Sequence, residues 1–145
     1  MKNILFVCKH NVFRSKVAED YFKKINRNKN LVISSVGIIK PNSLDDVQRK
    51  SINLQRKIAS EFGIKIRWNP RQLSIGLLRE QDIIVISADD VPKKIFRNPT
   101  YAKKNQKIIA WRIRDAPGDK SDRLIIRKSI KKIIKKMDKL VRRLG

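Results

Sequence analysis

A chain of 145 residues with 41% hydrophobic and 34% charged side chains is long enough for one buried core and too apolar for a disordered segment. Its 36 Lys or Arg against 13 Asp or Glu give a formal net charge of +23, which predicts attraction to phosphates, nucleic acid and anionic surfaces but says nothing about fold. No apolar run approaches the roughly 20 residues that span a bilayer, and the first residues lack a signal-peptide pattern. The single cysteine excludes an internal disulfide, so a cytoplasmic protein with no transmembrane segment is expected.

The run Ile4-Leu5-Phe6-Val7 reads as a buried strand of a mostly parallel sheet. Ala18, Tyr21, Phe22 and Ile25 then recur at helical spacing, so a helix is expected from about Ser15. Leu31 to Ser35 gives a second strand. Pro41-Asn42-Ser43 forms a loop before a helix start favoured by Asp45 and Asp46, and that helix runs to a stop at Gly63. A short helix through Leu77-Leu78 precedes a third strand, Ile83 to Ile86, with Asp89 and Asp90 read as solvated turn residues after it. Lys107 to Trp111 is a fourth strand. From Ser121 onward, Ile126, Ile130, Ile133, Met137 and Leu140 repeat at three and four, which makes a long amphipathic helix. Alternating strands and helices predict one α/β domain over 1–145. The expected form is a three-layer sandwich on a four-stranded parallel sheet, with helices on both faces.

Between the first strand and the first helix lies Cys8-Lys9-His10-Asn11-Val12-Phe13-Arg14-Ser15. Successive N–H groups in such a loop converge on an anion, and the helix start adds partial positive charge. Arg14 adds a two-pronged donor for an oxyanion, and the same surroundings favour a reactive cysteine. Cys8 is thus a candidate nucleophile beside a phosphate-binding loop. Ser15 has two readings, a donor to the sulfur or a cap for the helix. Asn11 suits bracing of the loop backbone. His10 reads as conformational, since histidine tolerates positive φ. No cluster of His, Cys, Asp or Glu suggests a metal site.

Cys-x5-Arg-Ser after an N-terminal strand resembles the low-molecular-weight protein tyrosine phosphatases and the arsenate reductases that share their fold. That family's loop reads Cys-x-Gly-Asn-x-Cys-Arg-Ser. Cys8, Asn11, Arg14 and Ser15 match it, while His10 replaces the glycine and Phe13 the second cysteine. Ser35-Val36-Gly37 is similar to the family's Ser-Ala-Gly, and Arg71-Gln72-Leu73 with Asp82-Ile83-Ile84-Val85 extends the likeness along the chain. Trp111 to Pro117 resembles the family's Asp-Pro acid loop with Ala116 inserted before Pro117. The resemblance implies a cysteine-dependent hydrolase that needs no cofactor or metal. In it Cys8, Arg14 and Asp115 are catalytic, Asp119 is a substitute acid, and Lys9, His10, Asn11, Val12, Phe13 and Ser15 bind substrate. The implied substrate is a phosphorylated protein or a small phosphate ester, with Trp68 or Tyr101 as an aromatic wall.

Two rival readings use the same residues. One is an arsenate reductase, for which a lone cysteine requires an external thiol. The other is a non-catalytic basic protein that binds phosphate or nucleic acid. From Lys120 onward there are eleven Lys or Arg against two Asp. That stretch provides a basic surface for non-specific nucleic acid, or simply a solvated helix face.

Overall fold

The structure is a computed structural model that describes residues 1–39, 44–98 and 105–144. Four strands, β1 (Lys2–Cys8), β2 (Leu31–Gly37), β3 (Ile83–Ile86) and β4 (Lys107–Ala110), form one parallel sheet in the order β2-β1-β3-β4. The helices are α1 (Arg14–Ile25), α2 (Asp46–Glu61), α3 (Ile75–Arg79) and α4 (Asp122–Leu144), and a 3-10 turn covers Lys93–Arg97. The expected α/β sandwich is therefore the observed one. The 3-10 turn is an addition that periodicity over so few residues does not reveal.

Alternation along β1 divides the core. Ile4 and Phe6 face α1, α2 and α4, whereas Leu5 and Val7 face α3 and the 3-10 turn. On the first side the Phe6 ring meets Phe22 at 6.0 Å and Trp111 at 5.7 Å between centroids. Helix α4 lays Ile126, Ile130, Ile133, Met137 and Leu140 into this layer. Each such side chain contributes roughly 1.5–3 kcal/mol when fully buried. Tyr21 of α1 donates to Asp138 of α4 at 2.8 Å, which ties the two helices across their contact.

Helix α2 starts on a capping box: Gln48 N–H donates to the Asp45 carboxylate at 2.7 Å, and Asp45 N–H donates to Gln48 Oε1 at 2.9 Å. It stops where Gly63 takes φ +73, letting Gly63 and Ile64 N–H return to the Ser60 and Ala59 carbonyls. The loop Pro41-Asn42-Ser43 and Tyr101 lie outside the described residues.

The register sets Cys8 opposite Gly37, Val7 opposite Ile86, and Ile86 opposite Ala110, so the strands end nearly level. Connections leave β1 toward β2 and β3 toward β4. The chain therefore diverges between β1 and β3, where such sheets form a crevice at the strand C-termini. Cys8 stands at that crevice.

Candidate active site

Helix α1 begins at Arg14, with Phe13 as its cap residue and no side-chain capping bond. The capping alternative for Ser15 is therefore not the observed one. Its hydroxyl lies 2.9 Å from the Cys8 sulfur. The donor follows from the neighbours: Asn11 Nδ2, which can only donate, reaches Ser15 Oγ at 2.7 Å and Ser35 Oγ at 2.9 Å. Ser35 in turn donates to Glu19 Oε1 at 2.7 Å. The Ser15 proton is left for the sulfur, to which Asn11 N–H also donates at 3.2 Å.

Asn11, expected to brace the loop by bonding its backbone, bonds instead the Ser15 and Ser35 hydroxyls and the Arg71 amide outside the loop. It is wholly buried, its carbonyl oxygen accepts from Arg71 N–H at 2.9 Å, and it takes φ +57. The left-handed residue of the loop is thus Asn11. His10, expected to stand in for a glycine at positive φ, is not among the positive-φ residues. An asparagine visits that region at lower cost than most side chains. His10 is 7% exposed, and burial pushes its pKa below the ordinary value; Asp115 opposes that shift, while Lys9 and Arg14 add to it.

Around this loop the packing is close. Ile38 and Ile39 N–H bond the Cys8 and Lys9 carbonyls, and Gly37 bonds both Arg71 and Leu73. A Cβ on Gly37 would come within 2.6 Å of His10 C and 2.8 Å of Asn11 N, both backbone atoms. Only glycine fits against the loop there. Lys16 Nζ holds Asn69 through its carbonyl at 3.1 Å and through its side chain. The 69–71 segment is thereby pinned to α1. Phe13 turns its ring into the core and Val12 packs on the same layer, so these two offer the loop their backbone. Their N–H groups have no acceptor among the described residues.

Arg14 is only 2% exposed, and its partners change the sequence reading. Asp89 and Asp90 are not simply solvated turn residues: Nη1 lies 3.4 Å from Asp89 and 3.0 Å from Asp90. The same nitrogen donates to the Ile113 carbonyl at 3.0 Å, and Nη2 stands 3.6 Å from Asp115 Oδ2. Burial alone would lower the Arg14 pKa, but the charges of Cys8, Asp115 and Asp90 outweigh it and hold the value above normal. Asp89 and Asp90 follow β3 at the same sheet edge. Asp115 holds the corresponding place after β4, so position beyond a strand end was the signal that could have found them.

Of the two candidate acids Asp115 and Asp119, Asp115 is the one beside Arg14, and its other oxygen accepts from Ala116 N–H at 2.9 Å. Asp119 is fully exposed. It accepts from the Ser121 amide at 2.7 Å and from the Ser121 hydroxyl, bonds that lower its pKa and fix the turn into α4. Arg112 adopts φ +54, an uncommon state for a long side chain, just before the Ile113 carbonyl that receives Arg14. Trp68 is 54% exposed, with the Arg56 guanidinium 5.5 Å from its ring centre. Among the described residues no group of His, Cys, Asp and Glu is arranged to hold a metal ion.

A family model described as low molecular weight phosphotyrosine protein phosphatase matches residues 3–144. No curated protein matches by sequence. Among solved structures, SP-PTP, a low molecular weight protein tyrosine phosphatase from Streptococcus pyogenes, is 21% identical. It has a TM-score of 0.70, and the match covers 100% of this chain and 94% of that one. The YwlE arginine phosphatase from Geobacillus stearothermophilus is 17% identical with a TM-score of 0.73, over 99% and 93% of the two chains. A thioredoxin-dependent arsenate reductase from Corynebacterium glutamicum is 18% identical with a TM-score of 0.61, over 100% of this chain and 64% of that one. At these identities the likeness is one of fold.

Proposed function

The chain belongs to the low molecular weight phosphotyrosine protein phosphatase family, and on that premise we propose that it hydrolyses phosphate monoesters through a cysteinyl-phosphate intermediate. The observation that carries this reading is the Cys8 sulfur at the head of α1, receiving hydrogen bonds from Ser15 and Asn11. In the first step the thiolate attacks phosphorus, and the bond from phosphorus to the leaving oxygen breaks as Asp115 gives that oxygen a proton. Asp115 then takes a proton from water, the hydroxide attacks phosphorus, and the sulfur–phosphorus bond breaks to release phosphate and restore the thiolate. Arg14 and the loop amides that are not bound to the sulfur, those of Val12 and Phe13 among them, hold the non-bridging oxygens. No step calls for a metal or organic cofactor.

Protein phosphotyrosine or a small aryl phosphate is the proposed substrate class, with exposed Trp68 as the aromatic surface beside the loop-bracing segment. The arsenate-reductase reading has support in the Corynebacterium neighbour. Reduction of arsenate leaves an oxidised sulfur that a further thiol must release, and these 145 residues contain one cysteine. That reading therefore needs an external thiol. Offering an aryl phosphate and arsenate to the purified protein, each with and without thioredoxin or a small thiol, separates the two. Phosphate release without any reductant is expected. Arsenate turnover driven by thioredoxin alone, with no ester hydrolysis, would replace the proposal.

A further inference from the structure

The largest feature that the catalytic reading leaves unused is the outer face of α4. Lys128, Lys131, Lys135, Lys139 and Arg142 are all exposed. At 100° per residue they fall within an arc of roughly 80°, opposite the buried Ile130, Ile133 and Met137. They succeed one another at about one helical turn, 5.4 Å, over a row roughly 21 Å long. A merely solvated face normally interleaves carboxylates at i+3 or i+4. Here the two acids of α4 are directed elsewhere: Asp122 accepts from Gly118 and Asp119 N–H, and Asp138 accepts from Tyr21. Glu61 of α2 pairs with Arg127, off the row. Among the described residues, none of the five cations meets a carboxylate.

We propose that this row docks the phosphate backbone of double-stranded nucleic acid without regard to base sequence. The charge and its straight, turn-by-turn repetition suit a regular line of phosphates. A membrane surface suits it less, because the apolar side of α4 is already committed to the core and Leu124 is the large apolar side chain exposed along the helix. A protein partner would need an apolar centre that the row does not supply. No aromatic side chain lies on α4, so unpaired bases find nothing to stack on, and duplex rather than single strand is the fitting form.

The test compares two triple variants of equal charge change, Lys131, Lys135 and Lys139→Gln on the row, and Lys93, Lys94 and Arg97→Gln on the 3-10 turn over the opposite sheet face. Circular dichroism and thermal melting establish that each is folded. Binding of a short labelled DNA duplex of mixed sequence is followed by anisotropy between about 50 and 200 mM salt. The row variant should lose roughly 10²-fold in affinity, and the slope of log K against log salt should fall by about 2.7, the value for three lost phosphate contacts. The 3-10 variant should stay within about threefold of wild type, since charges beyond a Debye length of about 10 Å are screened. Equal losses in the two variants would overturn the proposal by reducing it to net charge. Tighter binding to anionic lipid vesicles or polyglutamate than to duplex would also overturn it, in favour of a membrane or an acidic protein.

Discussion

Two residues decide what the sulfur of Cys8 and the guanidinium of Arg14 can do, and neither is the cysteine or the arginine. Asn11, fixed by the Arg71 amide on one side of its side chain, imposes a direction on the hydroxyls of Ser15 and Ser35 and so points a proton at the sulfur. Asp115, 3.6 Å from Arg14, brings a carboxylate to the same crevice. Asp115→Asn should slow hydrolysis by on the order of 10²–10⁴-fold for an ester with a poor leaving group, and far less for a strongly acidic phenol. Hydrolysis rates across a series of phenyl phosphates check this, and the same pattern in Asp119→Asn instead would move the acid to Asp119. Asp90 faces Arg14 at 3.0 Å while 37% exposed, so it competes with an incoming oxyanion. An ion pair at that exposure is worth at most about 1 kcal/mol. Inhibition by vanadate should therefore tighten by up to about fivefold in Asp90→Asn, measured as the inhibition constant; weaker inhibition would show that Asp90 positions Arg14 rather than competing for it.

Among the elements, the α1–α4 contact has a titratable hinge pin. Burial and the Asp138 hydrogen bond push the Tyr21 hydroxyl up to about 12. An unfolded tyrosine titrates near 10. Between those values the native state keeps a proton that the unfolded state has lost, so stability is whole below about pH 10 and falls as pH rises toward 12. Tyr21→Phe should cost about 1 kcal/mol at neutral pH and should flatten the decline over that interval, as read by denaturant titration at a series of pH values. An unchanged decline in the variant would assign the loss to other groups. Gly37 works at this scale too, since β2 approaches the Cys8–Ser15 loop so closely that its register depends on a missing Cβ.

For the molecule as a whole, hydrophobic pattern was enough to place all four strands and the long helices within a residue or two, because buried runs such as Ile83 to Ile86 and the three-four repeat of α4 have no other stable arrangement. Cys8 and Arg14 drew notice through their place in a strand-to-helix loop, and Asp115 through the likeness of Trp111 to Pro117 to the family's acid loop; all three lie in loops beyond strand ends, which parallel sheets gather at one edge. The partners of Arg14 were not read, although Asp89 and Asp90 satisfy the same rule, because two carboxylates after a strand also look like an ordinary solvated turn. Ser35 stood out in the Ser35-Val36-Gly37 stretch, but its bond to Glu19 was invisible, since it joins a strand to a helix and leaves no local spacing. His10 shows the opposite error. A glycine-like position in a motif need not carry the left-handed angle, and here the neighbouring Asn11 takes it.

A Cys8 that serves as nucleophile in phosphoryl transfer must pass through a covalent intermediate, and that intermediate can be trapped. Wild type and Cys8→Ser would each be mixed with an aryl phosphate, quenched within one turnover, and examined by intact-mass spectrometry and phosphorus NMR, with vanadate binding as the measure of an intact site. Wild type should carry one phosphoryl group on the Cys8 sulfur, and Cys8→Ser should show no turnover but retained vanadate binding. Steady hydrolysis by Cys8→Ser, or phosphate found on any other residue, would contradict a nucleophilic Cys8.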